Sequence, residues 1–333
     1  MKRIRITHLI LMLLLATALW LGYRALRPQP VRVPEDSLPS WEQVFNQPVR
    51  SLAVAGDALV LGTYQDSTIL KPDGTFVHLP AEPAAADSPW AGTVFALAVD
   101  AKSRRVYEGR DQAYELGVLD LRESSWQPTP GFGDTGRWTV WALAVGDVPY
   151  AGTAKGVWAR PLDGAKGGWQ LLGPPADRAR LPVFSLLHAE QGLYAGTFDG
   201  IWLYTDGAWR YLADGPRGKV LALAEFTWTG QRYLAAGTGD GLFVQREGDA
   251  WRRVEGDSAE DPVVYALAFG AKGGVLFAGT ADGVVRLALS SEESPGRWMK
   301  VGLSGPIMAL AWHAGALFAG GDTGAFVWRE RGK

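Results

Sequence analysis

The sequence of 333 residues contains no cysteine. Without thiols, the chain can form neither disulfides nor thiolate-ligated metal centres, and it has no thiol nucleophile. Histidine is also scarce, and His78, His188 and His313 have no metal-binding spacing. The sequence lacks a phosphate-binding loop, a dinucleotide fingerprint, a calcium loop and a G-x-S-x-G motif. We therefore predict no metal, no cofactor and no catalytic residues.

Positive charge is deficient over most of the chain. Residues 1–34 carry six basic residues and no acidic one, which leaves 27 basic against 35 acidic residues in the remainder. A mildly acidic globular part argues against binding to the phosphate backbone of nucleic acids.

The N-terminus has the composition of a membrane anchor. Lys2, Arg3 and Arg5 precede an apolar run of about 15 to 18 residues, which is barely long enough to span a bilayer. The small-residue pattern at 16–18 lies inside this run, so signal cleavage there would leave too short a hydrophobic region. We predict an uncleaved anchor in residues 1–23 and a proline-rich linker in 24–39, with the globular part outside the cytoplasm. A secreted protein released by cleavage is the alternative.

A repeat fills residues 40–330. One short apolar run recurs with starts 37 to 46 residues apart. The seven starts are Val49, Val94, Val140, Val183, Val220, Val264 and Ile307. Each start is followed by two further runs joined at a glycine-containing turn, and in most units by a fourth run. A fixed period near 40 residues with four strands per unit is typical of a β-propeller, so we predict an all-β, seven-bladed propeller.

Two strand positions carry most of the pattern. The second strand keeps one glycine in all seven units, which indicates a close approach of backbones. The fourth strand carries tryptophan in five units and Phe76 in the first. The seventh unit ends before its fourth strand, and the missing strand begins at Trp41 and includes Val44. We predict that this N-terminal strand closes the ring, because closure removes the open edges of a half-blade.

The closure also predicts an orientation. Alternating strands bring the chain in at the bottom face of the propeller, near Ser40. The top face, formed by the second-to-third and fourth-to-first loops, then looks away from the membrane.

Three charged residues interrupt the repeat. The first strand has small third and fifth residues, expected to let the next blade approach, and large second and fourth residues, expected to fill the other face. Arg50 takes the second position of the first unit. Glu108 replaces a small residue and Arg110 replaces threonine in the second unit. We predict a structural charge pair among Arg50, Glu108 and Arg110, with a functional site between blades one and two as the alternative.

The top-face loops supply the remaining candidates. The long loops at 80–93 and 128–139 contain Trp90, Phe132 and Trp138, which are either anchors for a partner or lids on the core. Six of the seven second hairpins carry an aspartate near the tip. Aspartate before glycine is what a tight hairpin favours, although an acidic crown would also attract cations.

The unit at residues 193–212, LYAGTFDGIWLYTDGAWRYL, resembles the propeller repeats of two-component regulators. It is also similar to photosystem II assembly factor-like and BNR (sialidase-type) propellers. The resemblance covers about residues 41–330. It implies a propeller fold and a range of roles from ligand sensing to assisting the assembly of membrane complexes. The Asp-box of sialidase-type repeats survives here only as fragments.

Together these patterns predict a membrane-anchored, non-catalytic scaffold that binds a protein partner through top-face loops. One alternative is a ligand-sensing module that works with a separate signalling protein. The other is a sialidase-like glycan-active enzyme, which would need several arginines and a carboxylate at the channel mouth.

Overall fold

The computed structural model describes the propeller region in segments. They are residues 41–79, 92–111, 116–122, 125–128, 138–161, 168–173, 181–256, 261–270, 274–289 and 298–329. The anchor predicted in 1–23 and the linker predicted in 24–39 lie outside them. Within these segments, no helix is long and apolar enough to cross a membrane.

The described residues form seven antiparallel sheets of four strands each, and this confirms the predicted seven-bladed propeller. Strands are numbered in chain order. Blades one to three consist of β2 (Val49–Ala55), β3 (Ala58–Thr63), β4 (Ser67–Leu70) and β5 (Phe76–Leu79); β6 (Val94–Asp100), β7 (Arg105–Arg110), β8 (Gly117–Asp120) and β9 (Ser125–Pro128); β10 (Val140–Val145), β11 (Pro149–Thr153), β12 (Gly156–Ala159) and β13 (Gln170–Gly173).

Blades four to six repeat this order. They consist of β14 (Val183–Ala189), β15 (Gly192–Thr197), β16 (Ile201–Thr205) and β17 (Ala208–Tyr211); β18 (Val220–Trp228), β19 (Gln231–Thr238), β20 (Gly241–Arg246) and β21 (Arg252–Arg253); β22 (Val264–Gly270), β23 (Val275–Thr280), β24 (Gly283–Ala288) and β25 (Trp298–Lys300).

Blade seven joins the two ends of the ring, as predicted. It contains β26 (Ile307–His313), β27 (Ala316–Gly321), β28 (Gly324–Arg329) and the N-terminal β1 (Glu42–Phe45), which pairs antiparallel with β28. Trp41 stands just before β1 and is buried, and its indole packs against Trp328 with ring centroids 6.5 Å apart. Val44 packs at the edge of the core between blades seven and one.

The repeated glycine of the second strand is explained at the seams between blades. A Cβ built on Gly62 would lie 2.6 Å from a methyl of Val94, the first residue of the next inner strand. The same contact recurs around the ring, and between blades seven and one a Cβ built on Gly320 would lie 2.7 Å from a methyl of Val49. A side chain would push the neighbouring blade away, so each glycine sets the distance between two sheets.

Each inner strand begins with an irregularity that the sequence pattern does not reveal. In blade one, Val49 pairs with Thr63 and Ser51 pairs with Gly62, so Arg50 is an extra residue opposite two consecutive partners. The other six inner strands show the same shift at their second residue. This is a β-bulge, and it takes the second residue out of the alternation of the strand.

Candidate functional site

The seven bulged residues form a ring at the top of the central channel, called here the bulge ring. Inner strands begin beside the second-to-third hairpins, so the bulges lie at the top face. The members of the ring are Arg50, Phe95, Trp141, Phe184, Leu221, Tyr265 and Met308. All seven are half-buried. Six large apolar or aromatic side chains and one cation therefore share one repeat position.

Part of the bulge ring is an aromatic platform. The rings of Trp141 and Phe184 stack with centroids 5.1 Å apart. The Lys219 ammonium lies 4.3 Å from the centroid of Phe184, in cation–π geometry. Trp141 is of a residue type that is enriched at the energetically important positions of protein interfaces.

The channel below the bulge ring is narrow. The small third residue and the leucine at the fourth position of every inner strand line it, and its cavity volume is about 200 Å³. Pockets for drug-sized ligands are roughly 300–1,000 Å³. The channel itself is therefore too small for such a ligand.

Arg50 is held in the bulge ring by groups from two blades. Its guanidinium forms an ion pair with Asp322 of blade seven at 3.0 Å, and it donates a hydrogen bond to the Tyr64 hydroxyl of blade one. The guanidinium also lies over the Tyr64 ring, 4.8 Å from the centroid. Burial raises the pKa of the Tyr64 hydroxyl, while the positive charge of Arg50 acts in the opposite direction. These three residues lie at the top of the seam between blades seven and one.

Glu108 and Arg110 form a separate ion pair in β7, and Arg50 is not part of it. Glu108 is fully buried, and its second carboxylate oxygen accepts a hydrogen bond from Ser67 Oγ of blade one at 2.5 Å. A buried carboxylate is tolerated when it is paired and hydrogen-bonded. The pair therefore ties blade two to blade one at a position where the carboxylate has no contact with solvent.

Of the three loop aromatics, only Trp138 lies in the described part of the chain; Trp90 and Phe132 lie outside it. Trp138 packs against the core cluster that contains Val140 and Trp158. The Lys155 ammonium lies 3.8 Å from its ring centroid, in cation–π geometry. Trp138 is partly buried, and its packing on the core is what the lid alternative expects.

Most of the hairpin aspartates have local structural partners. Asp66 and Asp199 accept hydrogen bonds from Thr63 and Thr197 inside their own hairpins, at 2.7 and 2.8 Å. Asp282 pairs with Lys300 at 2.8 Å. Among the described residues, no group of three acidic or histidine side chains is arranged to hold a metal ion. These contacts favour the structural interpretation of the acidic hairpin tips.

The bulge ring is the feature that sequence reasoning missed. Strict alternation along the inner strand predicts that the large second residue lies on the face opposite the neighbouring blade, and the bulge removes it from that alternation. The signal in the sequence is a large side chain at this position in all seven units.

Comparison with known proteins gives fold neighbours only. No protein-family model and no curated protein matches the chain. Among solved structures, the RRP9 WD40 repeats superpose with a TM-score of 0.66 at 12% identity, covering 89% of this chain and 99% of that one. The Cps50 (Swd1) β-propeller domain of Myceliophteria thermophila gives 0.65 at 14% identity, with coverages of 87% and 99%.

A third neighbour belongs to a signalling protein. The extracellular domain assigned to a hybrid two-component system of B. thetaiotaomicron superposes with a TM-score of 0.65 at 15% identity. The match covers 88% of this chain but only 40% of that chain. At these identities, all three similarities show a shared propeller fold and nothing finer.

Proposed function

We propose that this chain is a non-catalytic scaffold that binds a protein partner through the bulge ring and the loops around it. In this proposal, residues 1–23 anchor the chain in the cytoplasmic membrane, and the propeller stands outside the cytoplasm with its top face away from the bilayer. The observation that carries the proposal is the bulge ring, where six large apolar or aromatic side chains surround the channel mouth and remain half-buried.

Two features favour a protein over a small ligand at this site. The channel cavity of about 200 Å³ is below the usual ligand range. The half-buried side chains of Trp141 and Phe184, with the Lys219 ammonium beside them, instead offer apolar contact area and a positive charge to a protruding segment of a protein. The neighbouring WD40 propellers and the extracellular signalling domain are compatible with protein binding, but they carry no more than the fold.

The glycan-active alternative depends on charged groups at the mouth of the channel. A sialidase-like enzyme would need several arginines at the mouth, and among the described ring residues Arg50 alone supplies a guanidinium, beside Tyr64 and Asp322. A panel of fluorogenic glycosides tests this alternative. Turnover that is lost in Tyr64→Phe would replace the scaffold proposal with an enzyme.

The scaffold proposal is tested by purifying the tagged full-length protein from detergent-solubilised native membranes. We expect a stoichiometric partner to co-purify with the wild type and to be lost with Trp141→Ala/Tyr265→Ala. The matched control is Leu171→Ala/Met299→Ala, which removes two exposed apolar side chains, 47% and 42% accessible, on the outer strands. The proposal is wrong if the ring variant retains the partner, or if both variants lose it equally.

A further inference from the structure

Three tryptophans of the fourth strands join successive blades by the same hydrogen bond. In the described part of the chain, the indole nitrogen of Trp251 in blade five has no hydrogen-bond partner. The indole nitrogen of Trp41 in blade seven donates to the Val301 carbonyl of blade six at 2.7 Å. Trp298 donates to Val254 at 3.3 Å, and Trp209 donates to Leu172 at 3.0 Å. In each case the acceptor stands three residues after the tryptophan of the preceding blade. This interaction is called here the indole latch.

Blade one lacks the indole latch, because Phe76 stands where the other blades carry tryptophan. Its ring packs on Phe45 with centroids 5.3 Å apart. Phenylalanine is smaller than tryptophan and has no N–H, so this seam has neither the volume nor the donor of an indole. The seam in question is the one between blades seven and one.

The carbonyl that an indole would reach at this seam belongs to Val44. Val44 is skipped in the pairing of β1 with β28, where Gln43 pairs with Phe326 and Phe45 pairs with Ala325. Leu172 is skipped in the same way in blade three, and its carbonyl accepts the indole latch from Trp209. A bulged residue is outside the sheet ladder, which leaves its carbonyl suited to an acceptor role.

Open space lies beside Phe76. A cavity of about 620 Å³ is walled by apolar side chains that include Leu59, Leu70, Phe76 and Phe318. An adjoining cavity of about 450 Å³ shares Val44 and Phe76 with it. The first volume lies within the usual range for small-molecule sites, unlike that of the central channel.

The rim of the larger cavity carries both signs of charge. Lys71 and Arg329 are the cations, and Glu42 and Asp57 are the anions. Arg329 and Glu42 form an ion pair at 3.0 Å, and both side chains are more than half exposed, so little free energy is needed to separate them. A ligand with one positive and one negative group would match this rim.

We propose that the seam between blades seven and one binds an aromatic amino acid of the tryptophan type. Its indole lies in the open space beside Phe76 and donates its N–H to the Val44 carbonyl, as a fourth-strand tryptophan would. Its carboxylate faces Lys71 and Arg329, while its ammonium group faces Glu42 and Asp57. This site is separate from the bulge ring and does not depend on protein binding there.

The test is calorimetric titration of the full-length protein with L-tryptophan, with indole as the second probe. We expect saturable binding of one L-tryptophan per chain. Phe76→Trp fills the seam from within and should weaken this binding at least tenfold. Phe198→Trp is the matched control, because it adds an indole at a position that is 63% exposed and far from the seam in sequence, and it should bind as the wild type does.

Lys71→Glu provides a variant that leaves the apolar wall intact. It should weaken L-tryptophan several-fold and leave the binding of indole unchanged, because indole carries no carboxylate. The proposal is overturned if the wild type shows no saturable heat with L-tryptophan, or if Phe76→Trp binds it as tightly as the wild type. It is equally overturned if Lys71→Glu weakens both probes to the same extent.

Discussion

Glu108 is a buried carboxylate whose charge is balanced by one neighbouring guanidinium. Replacing it by alanine restores the residue found at this position in most other blades, but it leaves Arg110, only 15% exposed, without its anion. Breaking a buried pair in this way typically costs about 3–5 kcal/mol. We expect Glu108→Ala to lower the free energy of unfolding by this amount in urea denaturation.

The double variant Glu108→Ala/Arg110→Thr is the control for this prediction. It recreates the Ala-Gly-Thr sequence of blades three to six and removes both charges together. Its free energy of unfolding should lie closer to that of the wild type than to that of Glu108→Ala. If the single variant is as stable as the wild type, the ion pair does not support the fold.

Glu225 makes the stability of blade five depend on pH. Burial raises the pKa of its carboxyl above the ordinary value of 4.5; Arg232 opposes this shift, and Glu190 and Glu247 add to it. The folded state therefore takes up the proton at a higher pH than the unfolded state. The resulting stabilisation is complete below the unfolded-state pKa, and it is lost as the pH rises through the folded-state pKa.

Glu225→Gln should remove this pH dependence. As the pH is lowered from 7 to about 4.5, the free energy of unfolding of the wild type should rise relative to that of the variant. The change should be less than about 1 kcal/mol, because Glu225 and the charged groups around it are partly exposed. Urea denaturation at several pH values measures the difference. A difference that stays constant with pH would contradict the prediction.

At the scale of the structural element, the seam glycines control how closely two sheets pack. A Cβ on Gly152 would lie 2.8 Å from Val183 Cγ1 of the next blade and 3.2 Å from Ala142 Cβ. Overpacking of this kind costs about 1–3 kcal/mol. We expect Gly152→Ala to lower the free energy of unfolding by that amount.

Gly239 is a matched control, because it occupies a hairpin of the same propeller and a Cβ there meets no atom within 4 Å. Gly239→Ala should be neutral or slightly stabilising, since alanine restricts the unfolded chain more than glycine does. Equal losses of stability in the two variants would argue that glycine is required for backbone conformation and not for seam packing.

A structural feature can be predicted from the sequence only when it requires a particular type of residue. The seam glycines were visible because no other residue fits against Val94 or Val183. The inner-strand bulges were not visible, since one extra residue changes the pairing register without requiring a particular side chain. The sequence therefore marks Arg50 as exceptional and predicts a pair with Glu108, whereas in the structure its carboxylate partner is Asp322.

The indole latch shows the same limit. The tryptophans of the fourth strands were evident, and so was Phe76 in their place. Their acceptors are carbonyls, which every residue possesses, so the hydrogen bond itself leaves no mark in the sequence. The cavity beside Phe76 follows from the packing of two blades that lie at opposite ends of the chain.

At the scale of the whole molecule, stability depends on the closing strand. A chain that begins at Ser40 keeps β1 and should unfold in urea at the same midpoint as the full-length propeller. A chain that begins at Pro48 lacks β1 and leaves the edge of β28 unpaired.

We expect this shorter chain to self-associate and to lose cooperative unfolding, because an unpaired strand edge is a template for intermolecular pairing. Sedimentation velocity and urea denaturation measure the two effects. If the chain that begins at Pro48 stays monomeric and unfolds cooperatively, ring closure by β1 is not required for the stability of the propeller.

The antiparallel pairing of β1 with β28 also sets the response of the ring to mechanical force. Glu42 lies opposite Val327, and its carboxylate pairs with Arg329, so the two ends of the ring leave the sheet side by side. Tension between these ends acts across the strand pair, so it breaks the hydrogen bonds between β1 and β28 one after another. It does not load them all at once, as shear along the strands would. The ring should therefore open at low force from Trp41 inward, while the six blades formed from continuous chain remain folded.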